Sequence, residues 1–234
     1  MKKNTIVFPA ILVLSLFIGT TARAVGIDRD ILVDAGMLPE EETEAVRNAE
    51  DVYLTLVNKT HQLPEDWLHT IQLAETVNYA GETYELEQET LTHYEALKAK
   101  MQEEGISIDL ESAYRSVEKQ QALWDEYEAL YGEEYCKQYV AVPGYSEHHT
   151  GLALDICLIQ NGAVVDSSDP IINDLFAAVH AHLAECGFIL RYPAGKEDIT
   201  GYSYEAWHIR YVGEENAQAI TSQWLTLEEY LGQV

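Results

Sequence analysis

Four side chains suited to metal and proton chemistry fall in two short stretches. The first is Gly144-Tyr-Ser146-Glu-His148-His149-Thr-Gly151-Leu-Ala153-Leu-Asp155. Its end reads as a strand, with Leu152, Leu154 and Ile156 on one face and Ala153 and Asp155 on the other. A carboxylate inside such a run is costly to bury without a cation. His148 stands seven residues before Asp155, in a Pro-Gly-led approach loop, so loop and strand together can aim an imidazole and a carboxylate at one atom. The second stretch, Glu205-Ala-Trp207-His208-Ile-Arg210, adds one imidazole and one carboxylate. His148, Asp155 and His208 make a three-ligand Zn²⁺ set with an open position, and Glu205 is left as a general base. Residues three apart face opposite sides of an extended strand, so Glu205 and His208 converge only if the chain bends near Ala206.

The elements that would carry these groups follow from periodicity. Tyr53–Val57 reads as a short opening strand. Leu91, Tyr94, Leu97 and Met101 sit at helical spacing within 87–101, and Gly105 ends that helix. Ile106, Ile108 and Leu110 alternate as a strand leading into Ser112-Ala-Tyr-Arg115-Ser. A helix over 117–131 places Leu123, Trp124, Tyr127 and Leu130 on one face. Asn161-Gly162 marks a hairpin after the metal strand. Ile172–Cys186 is an amphipathic helix stopped by Gly187, and Phe188–Tyr192 is a strand. Pro193–Ser203 is a loop. Trp207, Ile209 and Tyr211 alternate as a final core strand, which makes Trp207 a core residue, and 215–231 is helical. The fold class is α+β, a small and mainly antiparallel sheet flanked by helices, with the zinc site on the sheet.

The chain has 234 residues, 14 Lys+Arg against 40 Asp+Glu, and a formal net charge of −26. Such a balance excludes a nucleic-acid partner, which needs a basic surface. Residues 1–24 have the form of a signal peptide: Lys2 and Lys3, an apolar run from Ile6 to Gly19, then Ala22-Arg23-Ala24. The expected location is exported, on the outer or cell-wall side of the membrane, with membrane association if the segment is kept as an anchor. Residues 25–50 are an acidic segment, and 51–234 form the catalytic domain. Cys136, Cys157 and Cys186 have no CxxC spacing; one pair could form a disulfide, or all three are small core residues.

The paired motifs Ser146-x-His148-x-x-Gly151-x-Ala153-x-Asp155 and Glu205-x-Trp207-His208 resemble the double signature of zinc D-Ala-D-Ala metallopeptidases, most closely VanY-type D-alanyl-D-alanine carboxypeptidases. Tyr114-Arg115-Ser116 with Gln120, Gly187-Phe-Ile-Leu-Arg-Tyr-Pro193 and Arg210-Tyr-Val-Gly213 support the likeness, which covers roughly residues 50–215. The resemblance implies that His148, Asp155 and His208 bind zinc and that Glu205 takes a proton from the zinc-bound water. It also implies that Arg115 stabilises charge on the scissile carbonyl oxygen, and that Ser146 and Gln120 help hold the substrate's terminal carboxylate. The implied partners are peptidoglycan stem peptides or their precursors.

Two other readings stand beside removal of a terminal D-Ala. One is an L,D-carboxypeptidase acting on tetrapeptide stems. The other is a peptidoglycan-binding zinc module without catalysis, against which Glu205 and Arg115 argue, since binding needs neither a proton shuttle nor an oxyanion donor. His149 is expected behind the ligands or at the surface. Arg210 is expected to pair with an acidic neighbour, and Tyr192 either borders the cleft or packs in the core.

Overall fold

The computed structural model describes residues 52–234, except the side chains of 138 and 139. The signal-peptide and acidic-segment expectations lie outside the described residues. Among the described residues no helix is long and apolar enough to cross a membrane.

Strands β1 (Leu73–Val77) and β2 (Thr83–Glu87) form an antiparallel hairpin. Helix α1 (Gln88–Glu103) follows at once, its first turn capped by the Glu87 carboxylate, which accepts from the Thr90 amide. Thr90, Tyr94, Leu97 and Met101 recur every three or four residues and form its buried stripe.

The central sheet is antiparallel throughout. Its order is β3 (Ser107–Ser112), β4 (Ala153–Gln160), β7 (His208–Tyr211), β6 (Phe188–Leu190), and β5 (Ala163–Val164) also pairs with β4. Asn161 and Gly162, both at positive φ (55° and 78°), make the tight β4–β5 turn their sequence foretells. Leu154, Ile156 and Leu158 of β4 enter the main core with Ile108 and Leu110 of β3, Ile209 of β7, and Tyr94 and Leu97 of α1. Helix α4 (Ile171–Leu183) closes that core with Phe176, Val179 and Leu183, then tightens into a 3₁₀ turn, Ala184–Cys186.

Several expectations are corrected. Tyr53–Val57 is not a strand: residues 52–53 are helical and the next are irregular. The carbonyls of Tyr53 and Thr55 are taken by Arg210 Nη2 at 3.1 and 2.7 Å rather than by a neighbouring strand. The face of α2 (Val117–Tyr131) drawn from its apolar residues is not core. Gln120 is its one buried residue, and Leu130 is 64% exposed. A short helix α3 (Glu133–Tyr139) and the β1–β2 hairpin were not foreseen. The strand after Gly187 stops at Leu190, and the loop beyond it contains the helical turn α5 (Glu197–Thr200). The closing helix is two, α6 (Glu214–Ser222) and α7 (Leu227–Tyr230), separated where Trp224 adopts a φ of 56° and Thr226 caps α7 in a capping box with Glu229. Trp207 precedes β7 and is 45% exposed. The three cysteines are free and buried.

Candidate active site

The ligand set is built by register. Asp155 of β4 lies opposite His208 of β7, so both side chains leave the sheet on the same face. A bulge in β3 between Leu110 and Ser112 brings Ser112 opposite Asp155 as well. His148 arrives from the 3₁₀ turn Glu147–Thr150, which leaves its helix through Gly151 at φ 70°. A Cβ at Gly151 would lie 3.0 Å from Leu73 Cδ2 and 3.2 Å from the Glu87 amide nitrogen, so the hairpin packs where only glycine fits. Trp67 Nε1 donates to the Thr150 carbonyl at 3.0 Å and braces the same turn.

One potential ligand atom from each of His148, Asp155 and His208 lies within 4.8 Å of the other two. His208 Nδ1 is 2.8 Å from Asp155 Oδ1, and His148 Nε2 is 3.3 Å from Asp155 Oδ2. The imidazole rings meet edge to face at 5.1 Å. His148 Nδ1–H donates to the Ala113 carbonyl at 2.8 Å, which leaves the Nε2 lone pair facing the site. Two imidazole nitrogens and a carboxylate oxygen, converging with open space beside them, fit zinc.

The electrostatics agree. Burial works to raise the Asp155 pKa, but His148 and His208 beside it hold the carboxyl well below the usual range. Burial alone would lower His208; its hydrogen bonds to Asp155 and Glu147 instead push it up to about 9.

The bend required near Ala206 is present. The chain turns at 206–207, the His208 amide donates to the Glu205 carbonyl at 3.4 Å, and His180 Nε2–H donates to the Ala206 carbonyl at 2.8 Å. The turn throws Trp207 outward and brings Glu205 to the same cleft as His208, a cavity of about 330 Å³. Glu205 is half-buried there. Burial first, then the charges of Asp155 and Glu147, raise its pKa, and His208 opposes them.

Arg115 also lines the cleft. Its Nη1 donates to Gln120 Oε1 at 2.8 Å and its Nη2 to Ser112 Oγ at 2.9 Å. Burial lowers its pKa, Asp155 opposes the shift, and the guanidinium remains a cation. Gln120 is also cleft-lining, but its Nε2 donates to the Ala141 carbonyl at 2.8 Å, so its amide is engaged at both ends in fixing Arg115. Ser146 is buried at the cleft wall.

His149 is buried. Its Nδ1–H donates to the Arg115 carbonyl at 2.6 Å and its Nε2 accepts from the Gly144 amide at 3.1 Å, so it ties the approach loop to Arg115. Tyr192 is both buried and cleft-lining, and stacks on His208 at 4.9 Å. Trp207, expected in the core, borders the cleft.

Glu147 and Arg191 were missed as site residues. Glu147 Oε2 lies 3.3 Å from His208 Nε2, and its Oε1 accepts from Arg191 and Arg210. The available signal was an arginine inside the apolar run Phe188-Ile-Leu-Arg-Tyr192, which demands a buried counter-charge.

The chain matches the family model VanY, D-alanyl-D-alanine carboxypeptidase, over residues 83–214. It is 34% identical over 208 residues to a D-alanyl-D-alanine carboxypeptidase of Enterococcus faecalis (strain ATCC 700802 / V583), covering 82% of this chain and 72% of that one. A solved vancomycin resistance D,D-pentapeptidase VanY in complex with Zn(II) is similar at TM-score 0.65 and 33% identity, over 77% of this chain and 99% of that one. The LdcB LD-carboxypeptidase structure is similar at TM-score 0.67 and 36% identity, over 79% of this chain and 87% of that one.

Proposed function

Because the chain belongs to the VanY family of D-alanyl-D-alanine carboxypeptidases, we propose that this zinc metallocarboxypeptidase removes the terminal D-Ala from peptidoglycan stem peptides ending in D-Ala-D-Ala. The observation that carries the reading is that Glu205 and Arg115 line the same cleft as His148, Asp155 and His208, whose ligand atoms converge there. Those three residues are the proposed zinc ligands. Zinc bound there supplies Lewis acidity, making water acidic enough to ionise near neutral pH and polarising the scissile carbonyl.

Glu205 accepts the proton of the attacking water at its carboxylate and returns it to the leaving amine nitrogen. Arg115 donates N–H bonds to the carbonyl oxygen as that oxygen gains charge. Gln120 and Ser112 take one N–H from each terminal nitrogen and fix the guanidinium, so little reorganisation is needed at that moment. Ser146 offers its hydroxyl to the terminal carboxylate. Gln120 acts chiefly by fixing Arg115 beside the scissile carbonyl oxygen. The N-terminal segment, read as a signal peptide, would carry residues 51–234, the proposed catalytic domain, to the outer side of the membrane, where such stems are found.

A second reading is favoured by the 36% identity to the LdcB LD-carboxypeptidase structure. Both readings use the same ligands, base and arginine, so only the product separates them. Mass spectrometry on defined tripeptide, tetrapeptide and pentapeptide stems is the test. Pentapeptide shortened to tetrapeptide with release of D-Ala supports the first reading. Tetrapeptide shortened to tripeptide supports the second. No cleavage of any stem by zinc-loaded protein contradicts both.

A further inference from the structure

Behind the three ligands lies a buried cluster of charges that the reaction leaves unused. It comprises Glu147, Arg191, Arg210 and Glu228, with side-chain exposures of 1%, 0%, 0% and 3%. We propose that Glu147 is a positioning residue for the metal: its carboxylate takes the Nε2–H of His208, so that the ring presents Nδ1 to zinc, and Arg191 and Arg210 hold that carboxylate in place. The inference rests on the zinc site proposed above.

An imidazole can bind a metal through either nitrogen, and the partner of the other nitrogen decides which. The two oxygens of Glu147 are divided between two tasks. Oε1 accepts from Arg191 Nε at 2.7 Å and Arg210 Nη1 at 2.9 Å. Oε2 is left for His208 Nε2 at 3.3 Å, while His208 Nδ1 faces Asp155. Two guanidiniums on one oxygen fix the rotation of the carboxylate and keep it ionised although it is buried.

The sheet makes this arrangement. His208 and Arg210 alternate onto one face of β7, and the Arg191 amide donates to the His208 carbonyl at 3.3 Å, setting Arg191 beside them. The turn that carries Glu147 also carries His148, so one residue step places a ligand and the next ligand's partner. The arginines are held in turn. Arg191 makes a two-toothed pair with Glu228 of α7 at 2.9 and 2.6 Å, and Asn58 donates to Glu228 at 3.1 Å.

The test compares Glu147→Gln with Glu228→Gln. Each removes one carboxylate charge from Arg191, but only the first touches His208. Zinc affinity of the metal-free proteins is measured by chelator competition. Glu147→Gln is expected to weaken zinc binding by about 10–100-fold, with Glu228→Gln within about threefold of the unaltered protein. Equal zinc affinity in all three overturns the proposal, as does an equal loss in both variants, which would make the cluster a matter of folding alone. If Glu147→Gln does not fold, nitrogen NMR of ¹⁵N-histidine-labelled, zinc-loaded unaltered protein decides. Zinc on His208 Nδ1 with a proton on Nε2 is expected, and zinc on Nε2 overturns the proposal. Failure of the unaltered protein to bind zinc at all would instead remove the underlying site.

Discussion

His180, on α4, donates its Nε2–H to the backbone carbonyl of Ala206 at 2.8 Å, and this bond spans from the core helix to the bend that unites base and ligand. Burial lowers the His180 pKa, so the ring is a neutral donor at physiological pH. His180→Ala strands a buried carbonyl and should cost about 1–3 kcal/mol of stability. The loosened bend should also lower kcat, because Glu205 is aimed by it. Urea melts and steady-state kinetics check both. A variant with unchanged stability and kcat would show that the bend is held by other means.

Arg115→Ala should reduce kcat by on the order of 10²–10³ with a smaller change in KM, since the guanidinium matters most when the carbonyl oxygen becomes anionic. Zinc content should not change, because the Arg115 side chain bonds to Gln120 and Ser112, and its backbone bond to the His148 carbonyl survives the substitution. An unchanged kcat with a raised KM would make Arg115 an anchor for the substrate carboxylate.

Trp207 is 45% exposed at the cleft edge, just beyond Glu205. Trp207→Ala should leave the melting temperature within a few degrees while raising KM, as expected for an aromatic face that touches substrate and contributes little to the core. Thermal melts and kinetics on a stem peptide distinguish this from the core role that its alternation with Ile209 and Tyr211 suggested.

That misplacement shows where sequence reading stops. Period-two alternation placed Leu154, Ile156 and Ile209 correctly, because each faces the core of a two-sided sheet. Trp207 fits the same period but lies outside the strand, in a turn fixed at Ala206 by a side chain 26 residues earlier in the chain, and no local pattern encodes that contact. The spacing of His148, Asp155, Glu205 and His208 showed which groups were present, and the need for a bend at Ala206 was legible as a conflict within it. What the bend rests on was not. Leu123, Trp124, Tyr127 and Leu130 have helical spacing, yet their face borders the cleft and solvent, since periodicity says that a face is apolar and not what covers it. Glu147 was hidden for a similar reason: its partners, Arg210 and His208 of β7 and Arg191 just after β6, lie 44 to 63 residues away.

The buried charges should make stability depend on acid. Burial works to raise the Glu228 pKa, but Arg191 holds it below the ordinary 4.5. A carboxyl whose folded pKa lies below its unfolded value stabilises the fold above the unfolded value, and that contribution is lost as pH falls through the folded one. Melting temperature should therefore be unaffected by this group from neutral pH to about 5 and decline below about 4.5. Glu228→Gln should melt lower at pH 7 and show a shallower acid decline. A variant with the same acid slope as the unaltered protein would place that sensitivity elsewhere.

The role of Glu205 is tested most directly by one paired measurement, zinc stoichiometry and peptide hydrolysis in Glu205→Gln set beside His208→Ala. Glutamine keeps the size of the side chain but cannot accept the proton, so Glu205→Gln should retain zinc and fold while turnover falls by about 10²–10⁴. His208→Ala removes a ligand and should lose zinc together with activity. Retention of zinc with loss of turnover in Glu205→Gln is the result this account predicts. Near-normal turnover in that variant, or zinc loss as complete as in His208→Ala, would contradict it.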